Sequence, residues 1–313
     1  MVLKIGTRGS KLALTQSQWV KARIESGHPG VVVELVKITT TGDKIQRSPL
    51  SEVGGKGLFI KEIEEALLGE EVDLGVHSLK DVPAELPEGL EIPVFPQRED
   101  PRDAFVSVKY RNFADLPHGS SVGTGSLRRG SQLLHLRPDL RVLPIRGNVD
   151  TRLRKLESGQ FEALILASAG LRRLGLSHRI AQMLSTDLCL PAIGQGALGL
   201  EVRKGDHVVR GLIGFLNHTE TELTVRAERA FLKELEGGCQ VPLAGHGKLD
   251  GDRLELQGMV ADPDGSLLIR DKLFGSSEKP ESLGIDLARR LLALGGDKIL
   301  QRISGGIQEP GSG

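Results

Sequence analysis

Two thiols, one carboxylate placed after an apolar run and a crowd of arginines are the groups in this 313-residue sequence whose type and setting could do chemistry. Cys239 stands in Gly237-Gly238-Cys239-Gln240, just past the end of a helical pattern, so a loop position is expected. A thiolate on a loop is a strong nucleophile toward electrophilic carbon, and the thioether it forms resists hydrolysis. Cys189, between Leu188 and Leu190, reads as a small buried hydrophobe. Asp81 follows the apolar run Val72 to Val76, a predicted strand. It therefore lies where open α/β sheets place ligand groups, beyond the carboxyl ends of the strands. An ionised Asp81 would stabilise positive charge developing on a ligand, whereas a protonated one would act as a general acid. The residues alone leave both roles open, and a helix-capping role for Ser78 to Asp81 as well.

The arginines are concentrated. The whole chain balances 41 basic against 41 acidic residues, yet from Phe105 to Leu190 thirteen lysines and arginines stand against six acids. All but two of the thirteen are arginine, whose planar, permanently charged fork suits carboxylate or phosphate. Arg128 and Arg129 open a predicted helix behind Gly123-Thr124-Gly125-Ser126, and their guanidinium groups are expected to converge with free backbone N–H groups on one anion. Other chemistries are disfavoured. The eight histidines and two cysteines show no metal-ligand spacing, so no metal is expected. Gly54-Gly55-Lys56-Gly57 lacks the spacing of a phosphate-binding loop. Zero net charge and 3% aromatics oppose nucleic-acid binding. No apolar run approaches the roughly 18 residues of a membrane span, and the N-terminal one is too short for a signal peptide. A cytoplasmic protein with free thiols is expected.

These groups need a scaffold. Val2 to Ile5, Val31 to Ile38 and Val72 to Val76 read as strands alternating with helices over Leu12 to Ile24 and Lys56 to Leu68. This is a βαβ pattern and implies a parallel sheet. The pattern repeats with strands at Ser121 to Gly123, Arg141 to Ile145 and Ala163 to Ala167 and helices at Leu127 to Leu136 and Thr151 to Glu157. A charged stretch around Pro101 and a second breaker at Leu190 to Gly196 mark two crossings between two lobes, the plan of hinged, periplasmic-binding-protein-like α/β proteins. Past Asn217 a helix over Thr219 to Leu235, three strands and a last helix form an α+β unit. The expected division is residues 1–98 with 197–217, 102–192, 218–304, and a flexible tail at 305–313.

Six blocks, in order, carry a resemblance: Thr7-Arg8-Gly9-Ser10, Val53 to Phe59, His77 to Pro83, Gly123 to Arg129, Ile145-Arg146-Gly147-Asn148-Val149 and Glu236 to Pro242. Together they resemble porphobilinogen deaminase (hydroxymethylbilane synthase) over essentially the whole chain. The resemblance implies a transferase that joins four porphobilinogen molecules, with loss of ammonia, onto a dipyrromethane cofactor and then releases linear hydroxymethylbilane by hydrolysis. It implies that Cys239 carries this cofactor through a thioether and that Asp81 is the catalytic carboxylate. Lys80, Ser78, Thr124, Ser126, Arg128, Arg129, Arg146 and Asp81 would hold the cofactor. Arg8, Gln16, Arg146, Arg152, Arg173, Phe59 and Lys56 would meet substrate, with Phe59 in a loop that covers the site. A monomer is implied. One departure stands out: the family commonly shows two serines after Gly-Thr, and here Gly125 precedes Ser126.

A non-catalytic binder of an organic anion would use the same two lobes and arginines, but gives a cysteine-bearing third unit no task. Fold does not separate the two readings, because function resides in the site.

Overall fold

The computed structural model describes residues 1–44, 57–235 and 241–305. Lys56, Cys239 and residues 306–313 of the expected tail lie outside the described residues.

The first sheet is built from β1 (Val2–Arg8), β2 (Val32–Ile38), β3 (Leu74–Ser78), β4 (Leu90–Val94) and β10 (Leu198–Arg203), in the order β2-β1-β3-β10-β4. Helix α1 (Lys11–Gly27) starts where Ser10 Oγ accepts the Ala13 N–H at 3.2 Å, an N-cap that its hydroxyl suits. Its buried face, Gln16, Ser17, Val20 and Ile24, follows the helical repeat, and Val20 and Ile24 pack against Leu3, Ile5 and Leu74 of the sheet. After the short α2 (Thr41–Lys44), helix α3 (Lys61–Leu68) begins five residues later than the expected helix at Lys56.

The second sheet repeats this plan. Its strands are β5 (Asp103–Val106), β6 (Ser121–Gly123), β7 (Arg141–Leu143), β8 (Ala163–Ala167) and β9 (Gln182–Met183), ordered β7-β6-β8-β5-β9. Helices α4 (Leu127–Leu136), α5 (Val149–Glu157) and α6 (Ser168–Arg173) accompany it.

Neither sheet is purely parallel, which corrects the βαβ expectation. β10 runs antiparallel to β3 and β4, and β5 runs antiparallel to β8 and β9. The cause is topological. In each sheet the fourth position is filled by a strand arriving from the other lobe, so its direction is not set by a local crossover helix.

Two connecting segments therefore run between the lobes, and they touch. Glu99 N–H donates to Gly196 O at 3.1 Å, and Gln195 Nε2 donates to Pro101 O at 2.6 Å. Gly196 has φ +87°, and a Cβ there would lie 2.3 Å from Glu99 O, so only glycine permits this approach.

After α7 (His207–Ile213), helix α8 (Thr219–Glu234) leads to an antiparallel sheet of β11 (Leu243–Asp250), β12 (Arg253–Ala261) and β13 (Leu268–Ser276), then to α9 (Pro280–Leu291) and α10 (Asp297–Gly305). Phe231 of α8, Leu254 and Leu256 of β12 and Leu287 of α9 form the core of this unit. No helix among the described residues is long and apolar enough to cross a membrane.

The third unit is tied to the crossing by Glu228 of α8, which is wholly buried. Its carboxylate accepts Arg98 Nη1 at 2.6 Å and Nη2 at 3.1 Å, Gly194 N–H at 2.7 Å and Gly247 N–H at 2.8 Å. Removing a partner from such a pair strands the other charge away from water. Glu228→Ala is expected to lower the free energy of unfolding by about 3–5 kcal/mol in equilibrium denaturation. A loss below about 1 kcal/mol, the worth of a surface ion pair, would mean that packing alone holds the crossing.

Candidate active site

A cavity of about 910 Å³ opens where the two lobes and the third unit meet. The first lobe lines it with Leu79 to Glu85, the second with Thr124 to Gly130, Arg146 and Arg152, and the third with Leu232, Lys233 and Leu243. Of the candidates read from sequence, Lys80, Asp81, Thr124, Ser126, Arg128, Arg129, Arg146 and Arg152 are brought together here.

Asp81 closes a single 3-10 turn, Leu79–Asp81, that follows β3 directly. Ser78 at the start of this turn makes no side-chain capping bond, so the capping role left open above is not used. The Asp81 carboxylate is half-buried and accepts no hydrogen bond among the described residues. It acts instead through space on Lys80 and Arg152.

Lys80 is exposed, but to the cavity that its neighbours enclose. Loss of water there, with Arg129 and Arg128 nearby, pushes its ammonium down to about 8 although Asp81 and Asp103 oppose the shift. Arg152, whose Nε donates to Gly147 O at 2.8 Å, is pushed down to about 10 by burial and by the cations of Arg129 and Arg146. An arginine does not shed its proton in practice, so Arg152 keeps its charge beside two other cations, a setting that favours an anion. Burial also lowers Arg146.

Arg128 and Arg129 differ from expectation. Their forks are buried and already hold a carboxylate, that of Asp103 at the start of β5. Arg128 Nη1 donates to Asp103 Oδ2 at 2.7 Å and to Leu190 O at 2.7 Å. Arg129 donates to Asp103 Oδ1 from Nε at 2.9 Å and from Nη2 at 2.7 Å. Burial alone would raise Asp103, but the two guanidinium groups outweigh it and hold the carboxyl far below the usual range. A helix start placed behind a lobe-crossing strand buries its arginines, and buried arginines need a counter-ion. Asp103 was missed because it sits in a charged stretch that reads as a linker. The available signal was an acid directly before the apolar Ala104-Phe105-Val106. Among the described residues Arg129 Nη1 makes no hydrogen bond, and Arg128 Nε is buried without one. Cys189 lies behind this pair, fully buried, with its thiol pushed up to about 12 by burial and by Asp103.

Gly125 has a steric reason. A Cβ on it would approach Ile145 O at 2.9 Å, so a serine there requires the 145 backbone to give way.

Five described candidates do not line the cavity. Gln16 and Ser78 hydrogen-bond one another, Gln16 Nε2 to Ser78 Oγ at 2.9 Å. Arg8 is gripped through both Nε and Nη2 by Asp43, and the Phe59 ring covers its guanidinium 4.2 Å from the centroid. Arg173 donates to Gly196 O at 2.7 Å. His77 pairs with Glu201 at 2.8 Å inside the first lobe. No cluster of metal-binding side chains occurs among the described residues.

The site so built sets Arg128, Arg129, Arg146, Arg152 and Lys80 around Asp81, whose carboxylate accepts no hydrogen bond among the described residues. In the ligand-free protein the Lys80 amine is expected to titrate near 8, read from the pH dependence of its reductive methylation by peptide mass. Asp81→Asn is expected to lower that midpoint further, because Asp81 stabilises the ammonium. A midpoint near that of free lysine would show that bulk water reaches the amine.

Residues 3–211 match the family model described as porphobilinogen deaminase, dipyromethane cofactor binding domain, and residues 222–293 match the porphobilinogen deaminase C-terminal domain. The porphobilinogen deaminase of Trichlorobacter lovleyi is 55% identical over 96% of this chain and 96% of that protein. That of Geobacter sulfurreducens is 55% identical over 96% and 94%, and that of Nitratidesulfovibrio vulgaris 54% over 97% and 97%. Among solved structures, the methionine binding protein MetQ is similar at a TM-score of 0.45 and 13% identity, over 68% of this chain and 89% of that one. Matched by both family models along most of its length, and more than half identical to such relatives nearly end to end, the chain belongs to the porphobilinogen deaminase family.

Proposed function

We propose that this chain condenses four porphobilinogen molecules into hydroxymethylbilane, using Asp81 as the catalytic carboxylate and Cys239 as the point of cofactor attachment. The observation that carries the assignment of roles is the cavity itself, where Asp81, which accepts no hydrogen bond among the described residues, shares the wall with Lys80, Arg128, Arg129, Arg146 and Arg152 from two lobes. Each porphobilinogen ring bears an acetate and a propionate. A chain of such rings is a polycarboxylate, and the donor set of Lys80, Arg129, Arg146 and Arg152 with Thr124 and Ser126 suits one. The dipyrromethane has the same chemistry and fits the same donors; when bound, it supplies the pyrrole α-carbon to which the first substrate ring is joined.

The residues divide the work. Arginines in the cleft bind and orient the substrate carboxylates, so that its aminomethyl carbon is presented to the waiting ring. That carbon loses ammonia, and the electron pair leaves with the nitrogen. The cation left behind is delocalised onto the substrate pyrrole nitrogen. An ionised Asp81 held against that N–H lowers the energy of this charge, and it accepts no competing hydrogen bond from the described residues. After the carbon–carbon bond forms, the attacking α-carbon gives up its proton, and Asp81 is the base placed to receive it. Lys80, cationic below about 8, holds a carboxylate beside Asp81. Arg128 acts chiefly by fixing Asp103 and the lobe crossing, a role added to the cofactor contact implied by resemblance. Arg8, Gln16, Ser78, Arg173 and Phe59 reach the substrate path only if their present partners exchange. Asp43 must yield Arg8 to an incoming carboxylate.

The domain division 1–98 with 197–217, 102–192 and 218–304 accords with three separate sheets, and we infer a cytoplasmic monomer. The decisive experiment is the intact mass of the denatured protein beside Cys239→Ser. An excess of two linked pyrrole units, present in the wild type and absent from the variant, is expected; a bare polypeptide mass that preformed hydroxymethylbilane does not change would overturn the assignment. Asp81→Asn should keep that added mass and lose about 100-fold or more in turnover. A rate within a few-fold of wild type would remove Asp81 from the chemistry.

A further inference from the structure

Arg229 of α8 is a half-buried guanidinium with no carboxylate partner within hydrogen-bond distance among the described residues. Its donors go to three successive main-chain carbonyls: Pro83 O at 2.8 Å and Ala84 O at 3.2 Å from Nη2, and Val82 O at 3.5 Å from Nη1. These residues directly follow Asp81. One turn earlier on the same helix, Val225 is fully buried in an apolar cluster with Leu79 and Val82, the residues flanking Lys80 and Asp81. One turn later, Lys233 pairs with Glu85 at 3.1 Å. Positions 225, 229 and 233 fall on one helical stripe, so a single face of α8 grips the turn from both ends.

Burial lowers the readiness of Arg229 to hold its charge, and the field of Glu201 only partly offsets this. A cation partly withdrawn from water is costly to keep, and hydrophobic packing would hold two elements together at less cost. What a guanidinium adds is direction: its rigid fork fixes three carbonyls, and with them the path of the chain leaving Asp81. Helix α8 also runs directly into the segment that bears Cys239.

We propose that Arg229 is a positioning residue, holding the Asp81 turn in register with the helix that leads to the cofactor-bearing segment. The proposal rests on the roles assigned above to Asp81 and Cys239. Arg229 touches neither substrate nor cofactor in it; it acts through the backbone of Val82 to Ala84. Displacing a catalytic group by a fraction of an ångström to an ångström is enough to slow chemistry without weakening substrate binding.

The test uses the holoenzyme, its cofactor verified by intact mass, as wild type, Arg229→Met and Arg229→Lys. Arg229→Met is expected to keep the cofactor mass, to lose about 10- to 100-fold in kcat and to leave KM within about twofold. Its amides at Val82, Ala84 and Glu85 should exchange with deuterium faster than in the wild type. Arg229→Lys, which retains one donor head, should recover part of the kcat and part of the protection. An unchanged kcat, or a KM that rises as far as kcat falls, would overturn the proposal, as would Arg229→Lys behaving no better than Arg229→Met. Should Arg229→Met not fold, Arg229→Lys decides alone: faster exchange at residues 82–85 with unchanged kcat would overturn it, and a matched loss of both supports it. A wild-type protein that makes no hydroxymethylbilane would sink the functional reading. In that case exchange at 82–85 unchanged in both variants would overturn the grip itself.

Discussion

A carboxylate taken wholly out of water must be answered donor for donor, and Glu228 is answered by the three parts of the chain that have to meet. Arg98 comes from the segment leaving the first lobe, Gly194 from the segment returning to it, and Gly247 from the third unit. Each oxygen accepts one bond from Arg98 and one from a backbone N–H, Oε1 from Gly247 and Oε2 from Gly194, and losing Arg98 would leave the buried charge without its counter-ion. The arrangement sets where α8 lies against the crossing. Everything that lines the cavity from the third unit, and the contacts of Arg229 and Val225 with the Asp81 turn, hang on that helix.

Asp103 solves a second problem with the same chemistry. The second lobe carries a surplus of arginines, and two of them start a helix pressed against the crossing. One carboxylate accepts from both forks and also from Gln195 Nε2 at 2.9 Å, so the lobe that supplies the cations is itself stitched to the returning segment. Arg146, Arg152 and Lys80 line the cleft. Burial is the main cause that makes each less ready to hold its proton, and for Arg152 and Lys80 the neighbouring cations add to it. Folding thus gives Arg128 a buried carboxylate to hold and sets Arg146 and Arg152 on the cavity wall, although the sequence places them within twenty-five residues.

That separation marks how far the sequence could be read. Periodicity located β1, β2, β3, β6, β7 and β8 and the helices α1, α3, α4 and α5 of the two lobes, since apolar repeats report local structure directly. The order of the motif blocks carried the family, and the position of Asp81 after a strand carried it to the cavity. What periodicity does not encode is which partner a charge will find. Arg128 looked like a ligand-binding arginine because its counter-ion, twenty-five residues upstream, sat in a stretch dense with both signs. Strand β5 was overlooked because it is four residues long and opens on that buried acid. Antiparallel β10 broke the parallel pattern because its direction follows from a return across the molecule. Arg229 had no motif at all: a basic residue on an amphipathic helix is ordinary until its fork is seen to end on carbonyls.

The Asp81 turn shows the logic of the whole site in small. Its backbone is pinned on every side. Leu79 N–H donates to Ala197 O at 3.1 Å, Gly194 lies so close that a Cβ on it would crowd Leu79 at 3.0 Å, and Arg229 takes the carbonyls that follow. The carboxylate itself is left without a hydrogen bond among the described residues. A group meant to stabilise charge that exists only during reaction gains most when it is fixed in place beforehand and unspent in the resting protein, since no reorganisation then opposes it. Rigid backbone with an unspent acceptor is that condition. It also explains why the turn belongs to one lobe, rests against a strand returning from the other and is held by a helix of the third unit: each supplies contacts that fix the backbone of the turn while Lys80 and Asp81 face the cavity.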